Sequence, residues 1–274
     1  MLKELCTLPP AWVLNRRLVK KMAKNDLKSR LAGSYFGTVW AFIQPIVTIL
    51  VYYFVFGIAM RGGAASGDGT PFVLYLVSGI VPWMYFQEGL VNGTNAFLEY
   101  SYLVKKVVFD ISVLPVVKLL SALVIHLFFV AFAMILFACY GYYPDIYYLE
   151  ILYYMICLFL LILAIVYTTS SVIVFFRDMG QIVSILLQIG VWLTPVMWDL
   201  SFLNGYSWGS TVMRILKLNP FYYIVHGYRN AFIEQRWFWE DKLLTVYFWA
   251  FLIVCYVFST WVFNRLKGHF ADVL

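Results

Sequence analysis

The chain has 274 residues, of which 63% are hydrophobic and only 12% charged, a balance that excludes a water-soluble globular domain, where roughly a quarter of residues carry charge. Six long apolar runs and their connections use up this length and leave no room for a separate soluble domain. The net charge of +6 lies largely ahead of the first run, so membrane topology accounts for it better than nucleic-acid binding does.

Ahead of that run, Trp12, Val13, Leu14, Leu18, Val19 and Met22 are interleaved with Arg16, Arg17, Lys20 and Lys21. The pattern predicts a helix lying on the cytoplasmic membrane surface, or else a basic retention signal with no other role. No cleavable signal peptide is expected, because a long polar and amphipathic stretch precedes Phe36. The apolar runs are Phe36 to Met60, Phe72 to Phe97, Val113 to Tyr140, Tyr147 to Phe176, Ile182 to Trp198 and Leu243 to Phe263. Each predicts a helix, since hydrocarbon cannot hydrogen-bond an open backbone and the alternating pattern of a membrane barrel is missing. The third and fourth runs exceed the minimum of about 20 residues, which implies tilt or extension past the bilayer.

Lysine and arginine at the span ends give the orientation. Lys3, Arg16, Arg17, Lys20, Lys21, Lys24, Lys28 and Arg30 precede the first run, Lys105 and Lys106 follow the second, Arg177 follows the fourth, and Arg265 and Lys267 follow the sixth. Both termini are therefore placed in the cytoplasm. The stretch Asp199 to Lys242 dissents with Arg214, Lys217, Arg229, Arg236 and Lys242, but it also holds four acids, and long loops follow the rule poorly.

Two intramembrane polar sites stand out. His126, in the middle of the third run, is expected to make an interhelical hydrogen bond rather than to carry protons. Glu88, beside Gln87 in the second run, faces either a water-filled pathway or a partner helix, and Pro82 is a candidate break in the same helix. Cys6, Cys139, Cys157 and Cys255 show no CxxC or Cys/His spacing, so no metal or redox site is expected. There is no GxxxxGK[ST] loop for ATP, no ladder of intramembrane acids, and no internal repeat of the kind many ion-coupled carriers show. If the chain moves a solute uphill, the energy comes from another subunit, and the chain itself is neither an ATPase nor a cofactor protein.

The stretch from Asp26 to Pro45, DLKSRLAGSYFGTVWAFIQP, continues through Thr48, Tyr52, Phe54, Val55, Phe56 and Gly57. It resembles the entry to the first helix in permease subunits of ABC-2 type exporters, most of all the branch that exports O-antigen, capsule or teichoic acid. The resemblance also covers SGIVPW from Ser78 to Trp83, FFRDM from Phe175 to Met179, LTPV from Leu193 to Val196 and LNPFY from Leu218 to Tyr222.

The resemblance implies an all-α integral membrane fold, a single ABC-2 transmembrane domain over 1–274 with six transmembrane helices per protomer. Residues 1–33 would form an N-terminal amphipathic interface segment in the cytoplasm. Residues 99–112 would form a coupling helix, and 199–242 would carry short re-entrant helices between spans five and six, with Asn219 and Pro220 as N-cap and first turn of one. It implies a homodimer in the cytoplasmic (inner) membrane, two copies of an ATPase subunit that use ATP and Mg, and a lipid-linked polysaccharide as substrate. Leu103, Val104, Lys105, Lys106 and Asp110 would contact the ATPase, with Arg177 and Asp178 reaching the same partner or capping helix ends. Trp40, Tyr52, Trp83, Tyr85, Trp192 and Trp198 lie on the spans that form the family's channel, where sugar rings can stack on aromatic faces. In the same reading Trp12 and Tyr35 would bracket the substrate entry. An exporter of a small drug or lipid shares this fold, and a membrane enzyme or a channel without an ATPase are the readings from other classes.

Overall fold

The computed structural model describes residues 15–31, 39–59, 69–105 and 110–274, the side chains at 201, 202 and 204 apart. Among the described residues the structure is all helical, with no strand. Helix α1, Arg16–Leu31, buries Val19, Ala23 and Asp26 and half-buries Met22, Leu27 and Arg30. That stripe has the spacing of one helix face, and it packs on the third long helix, while Arg16, Arg17, Lys20 and Lys24 stay exposed.

Helix α2, Trp40–Tyr52, passes into a π-helical stretch, Tyr53–Ala59. Pro45 within it deprives the Ala41 carbonyl of its helical donor. Helix α3, Phe72–Thr94, is the hub of the bundle and is buried along most of its length. It approaches its neighbours at glycines: a Cβ at Gly93 would lie 2.7 Å from the Val166 side chain, and one at Gly89 would lie 3.1 Å from Ile162. Pro82 does not break α3, which runs on through it; the burial of Ser78 to Trp83 among neighbouring helices holds the segment in line.

After α3 come two single turns, α4 at Ala96–Glu99 and α5 at Ser101–Val104. Helix α6 is Val113–Cys139, α7 is Leu149–Ile173, α8 is Met179–Leu193, α9 is Gly209–Lys217, α10 is Pro220–Arg229, α11 is Lys242–Leu266 and α12 is Phe270–Val273. Each of the six expected runs thus contains a helix. The stretches Trp40–Ala59, Val113–Cys139, Ile146–Ile173 and Lys242–Val273 are long and apolar enough to cross a membrane, and Met179–Leu193 is a shorter apolar helix. Helix α3 falls outside that set because Gln87, Glu88 and Asn92 lower its mean hydropathy. All three of these groups line one cavity.

Between α8 and α11 the chain folds into short helices. Asn219 caps α10, its side chain accepting a hydrogen bond from the Phe221 N–H at 3.0 Å with Pro220 in the first turn, as its sequence predicts. Asn219 also donates to the Thr194 hydroxyl at 2.7 Å. At the other end of α10, Arg229 donates to the Val196 carbonyl at 2.9 Å and lies 3.7 Å over the Tyr75 ring. Gly79 sits against the same carbonyl. The separate motifs SGIVPW, LTPV and LNPFY therefore meet in one junction, which fixes α10 against α3 and the end of α8.

Candidate functional site

A cavity of about 890 Å³ lies between α2, α3 and α8, with Ile125 of α6 at its back. Its polar lining comes from Gln44 and Thr48 on α2, from Gln87, Glu88 and Asn92 on α3, and from Gln188 on α8. Tyr52, Trp83 and Trp192 supply its aromatic wall. Its amides and hydroxyls both donate and accept hydrogen bonds, and they stand beside flat aromatic faces.

The helices position these rings differently. Trp83 is buried, edge-on to Phe221 of α10 at 5.1 Å between centroids, and rests against Gly190 of α8. Trp192 is 56% exposed, and both it and Tyr52 lie edge-on to Phe56 at 6.2 Å. Trp198 borders the cavity indirectly, its indole N–H donating to the Trp192 carbonyl at 3.0 Å. Trp40 is exposed and outside the lining. Tyr85 lies away from the cavity: it is buried, donates to the Leu119 carbonyl at 3.2 Å and stacks on His126 at 4.7 Å. Residues two apart on a helix point about 200° apart, so Trp83 and Tyr85 of α3 face opposite sides. His126 makes the expected interhelical contact, 2.9 Å from the Tyr228 hydroxyl of α10.

Glu88 stands between the cavity and α1. It lines the cavity and pairs with Arg30 of α1 at 2.7 Å. Arg30 belongs to a larger polar cluster, with its Nη2 donating to Ser121 at 2.8 Å and its Nε 3.3 Å from Asp26. Asp26 in turn accepts from Lys118, Ser121 and Tyr100. Burial pulls the Asp26 carboxyl upward, but the hydrogen bonds from Lys118 and Ser121 and the Lys118 charge outweigh it and leave the group below its ordinary 3.8. Burial and the neighbouring Asp26 charge push the Tyr100 hydroxyl up. Lys118 was not among the residues singled out from sequence. It is 2% exposed and inside an apolar run, and an ionisable residue in such a place is itself the signal that could have found it.

In the 99–112 segment the described residues do not form one helix. The chain turns at Tyr100, makes α5, and turns again over Ile111 and Ser112. Val104 is buried, Leu103 half-buried and Lys105 exposed. Asp110 accepts hydrogen bonds from the Ser112 N–H at 3.1 Å and its hydroxyl at 2.7 Å, at the entry to α6. Arg177 and Asp178 are exposed in the turn between α7 and α8. Trp12, Tyr35 and Lys106 lie outside the described residues.

A family model described as ABC-2 type transporter matches residues 17–233. The chain is similar to the O-antigen export system permease protein RfbA of Myxococcus xanthus, with 28% identity over 259 residues, 94% of this chain and 95% of the relative. Proteins of the same name from Klebsiella pneumoniae are 25% and 24% identical over 261 residues, again 94% of this chain and 95% of each relative. The match runs through α1 and the cavity-lining helices as far as the end of α10. This chain, a multi-pass membrane protein, belongs to the ABC-2 type transporter family.

Proposed function

We propose that this chain is the permease subunit of an ATP-driven exporter that moves a lipid-linked polysaccharide outward across the cytoplasmic membrane. The cavity between α2, α3 and α8 carries the reading: its wall combines three aromatic residues with amides, hydroxyls and one ion-paired carboxylate, a chemistry suited to a chain of sugars that must slide. Relatives bearing the name O-antigen export permease over most of the same length support it. In this reading α2, α3, α6, α7, α8 and α11 are six spans, both termini are cytoplasmic, and α9 and α10 are re-entrant helices on the outer side. The exposed apolar faces of α2 and α8 meet a second copy, and the two copies enclose the pathway. The segment from Glu99 to Ser112 and the Arg177–Asp178 turn face two copies of an ATPase subunit, which bind ATP and Mg. Substrate enters near Trp12 and Tyr35. The test is to delete the chain in its host and follow glycan by surface labelling and by lipid extraction: surface glycan should vanish while the lipid-linked form accumulates inside, and unchanged surface glycan contradicts the reading.

A further inference from the structure

Lys118 holds two carboxylates from two different elements. Its ammonium lies 2.5 Å from Asp26 Oδ1 on α1 and 2.5 Å from Glu99 Oε2 at the end of α4. Asp26 Oδ2 accepts from Ser121 on α6 at 2.5 Å, Ser121 accepts from Arg30 at 2.8 Å, and Arg30 reaches Glu88 at 2.7 Å. Tyr100 closes the cluster, its hydroxyl 2.9 Å from Asp26 and its ring centroid 5.0 Å from the Lys118 ammonium. An unbroken chain of charged and polar contacts thus runs through α1 and α6. One end is Glu99, whose side chain is half exposed; the other is Glu88 in the wall of the cavity.

A buried ion cluster is a poor device for stability alone, because apolar residues of the same volume hold helices together without the desolvation cost. What ion pairs offer instead is discreteness. An ammonium or guanidinium has a defined set of partners and changes between sets stepwise. The contacts join four helical elements, α1, α3, α4 and α6. Arg30, already divided between Asp26, Ser121 and Glu88, is the member with alternatives at hand.

We propose that Lys118, Asp26 and Arg30 are positioning residues that tie the segment starting at Glu99 to Glu88, so that displacement of that segment by the ATPase changes access to the cavity. The inference rests on the exporter reading above. Contiguity alone does not demonstrate coupling, so the experiment measures coupling directly. The full chain, with Cys6, Cys139, Cys157 and Cys255 replaced by serine, carries Gln188→Cys as a reporter in the cavity and is reconstituted in vesicles with its ATPase. Maleimide labelling of the reporter is timed with and without ATP and Mg. In the otherwise unaltered chain, ATP should shift the rate by about tenfold, a size typical of allosteric coupling. Adding Glu99→Gln or Asp26→Asn should reduce that shift to about onefold while the ATPase stays bound in equal amount and hydrolyses ATP. Glu99→Gln leaves the Lys118–Asp26 pair intact at a half-exposed position, so it decides the question even if Asp26→Asn does not fold. A full ATP response in the Glu99→Gln protein overturns the network proposal. A reporter that ignores ATP before any network residue is changed overturns the exporter reading, and the proposal falls with it.

Discussion

Single residues show how environment separates roles that composition lumps together. Trp83 and Trp192 both line the cavity, yet Trp83 is 4% and Trp192 56% exposed. Truncating a buried tryptophan costs about 3–5 kcal/mol of stability, so Trp83→Ala reports on folding before it reports on transport. Trp192→Ala spares the core. If its ring carries passing sugars, export in cells should fall roughly two- to tenfold, the equivalent of about 0.5–1.5 kcal/mol of aromatic contact, with unchanged protein level; an unaltered export rate would remove Trp192 from the pathway. Asp26 makes a prediction in pH. Its folded pKa is lower than 3.8, so the folded state holds fewer protons than the unfolded state in this range. The stability it contributes is fully present above 3.8 and drains away as pH falls through the lower folded value. Unfolding in detergent should therefore show a shallower acid limb for Asp26→Asn than for the wild type below about pH 4, and coincident limbs would contradict the assignment.

At the scale of elements, the helices were legible wherever the apolar run was long. α6, α7 and α11 begin within two residues of their expected starts, because hydrocarbon leaves the backbone no alternative. Asn219 and Pro220 marked the start of α10 for an equally local reason, since an N-cap acts within its own turn. The polar cluster was not legible. Lys118 finds Asp26 from 92 residues away and Glu99 from 19, and such pairing depends on how α1 is laid on α6, which no local pattern encodes. Tyr85 misleads for a related reason: its neighbourhood is rich in channel-type aromatics, but only the helix phase decides which of them face the cavity. Phase also explains the motif glycine Gly79, where a Cβ would stand 2.6 Å from the Val196 backbone oxygen. A backbone atom cannot swing aside as a side chain can, so Gly79→Ala should destabilise the fold by about 1–3 kcal/mol. Gly180→Ala is the comparison, because its Cβ would meet one side-chain atom at 3.5 Å. Equal thermal midpoints for the two variants would count against the three-motif junction.

The whole molecule is arranged around an asymmetry. α3 and α7 are buried in the bundle, while α2 and α8 leave broad apolar surfaces uncovered beside the cavity they share with α3. The cavity therefore lies at an edge of the described chain rather than at its centre. The sequence has no GxxxxGK[ST] phosphate-binding loop, so the export proposed above calls for an ATPase partner. Purifying the chain from its native membrane in mild detergent, and identifying what comes with it, tests the exporter reading directly. A P-loop ATPase should be recovered in equal amount, with hydrolysis that rises when lipid-linked glycan extracted from the same membrane is added. A chain that purifies as a stable dimer with no ATPase, under conditions that preserve the membrane assembly, would contradict it.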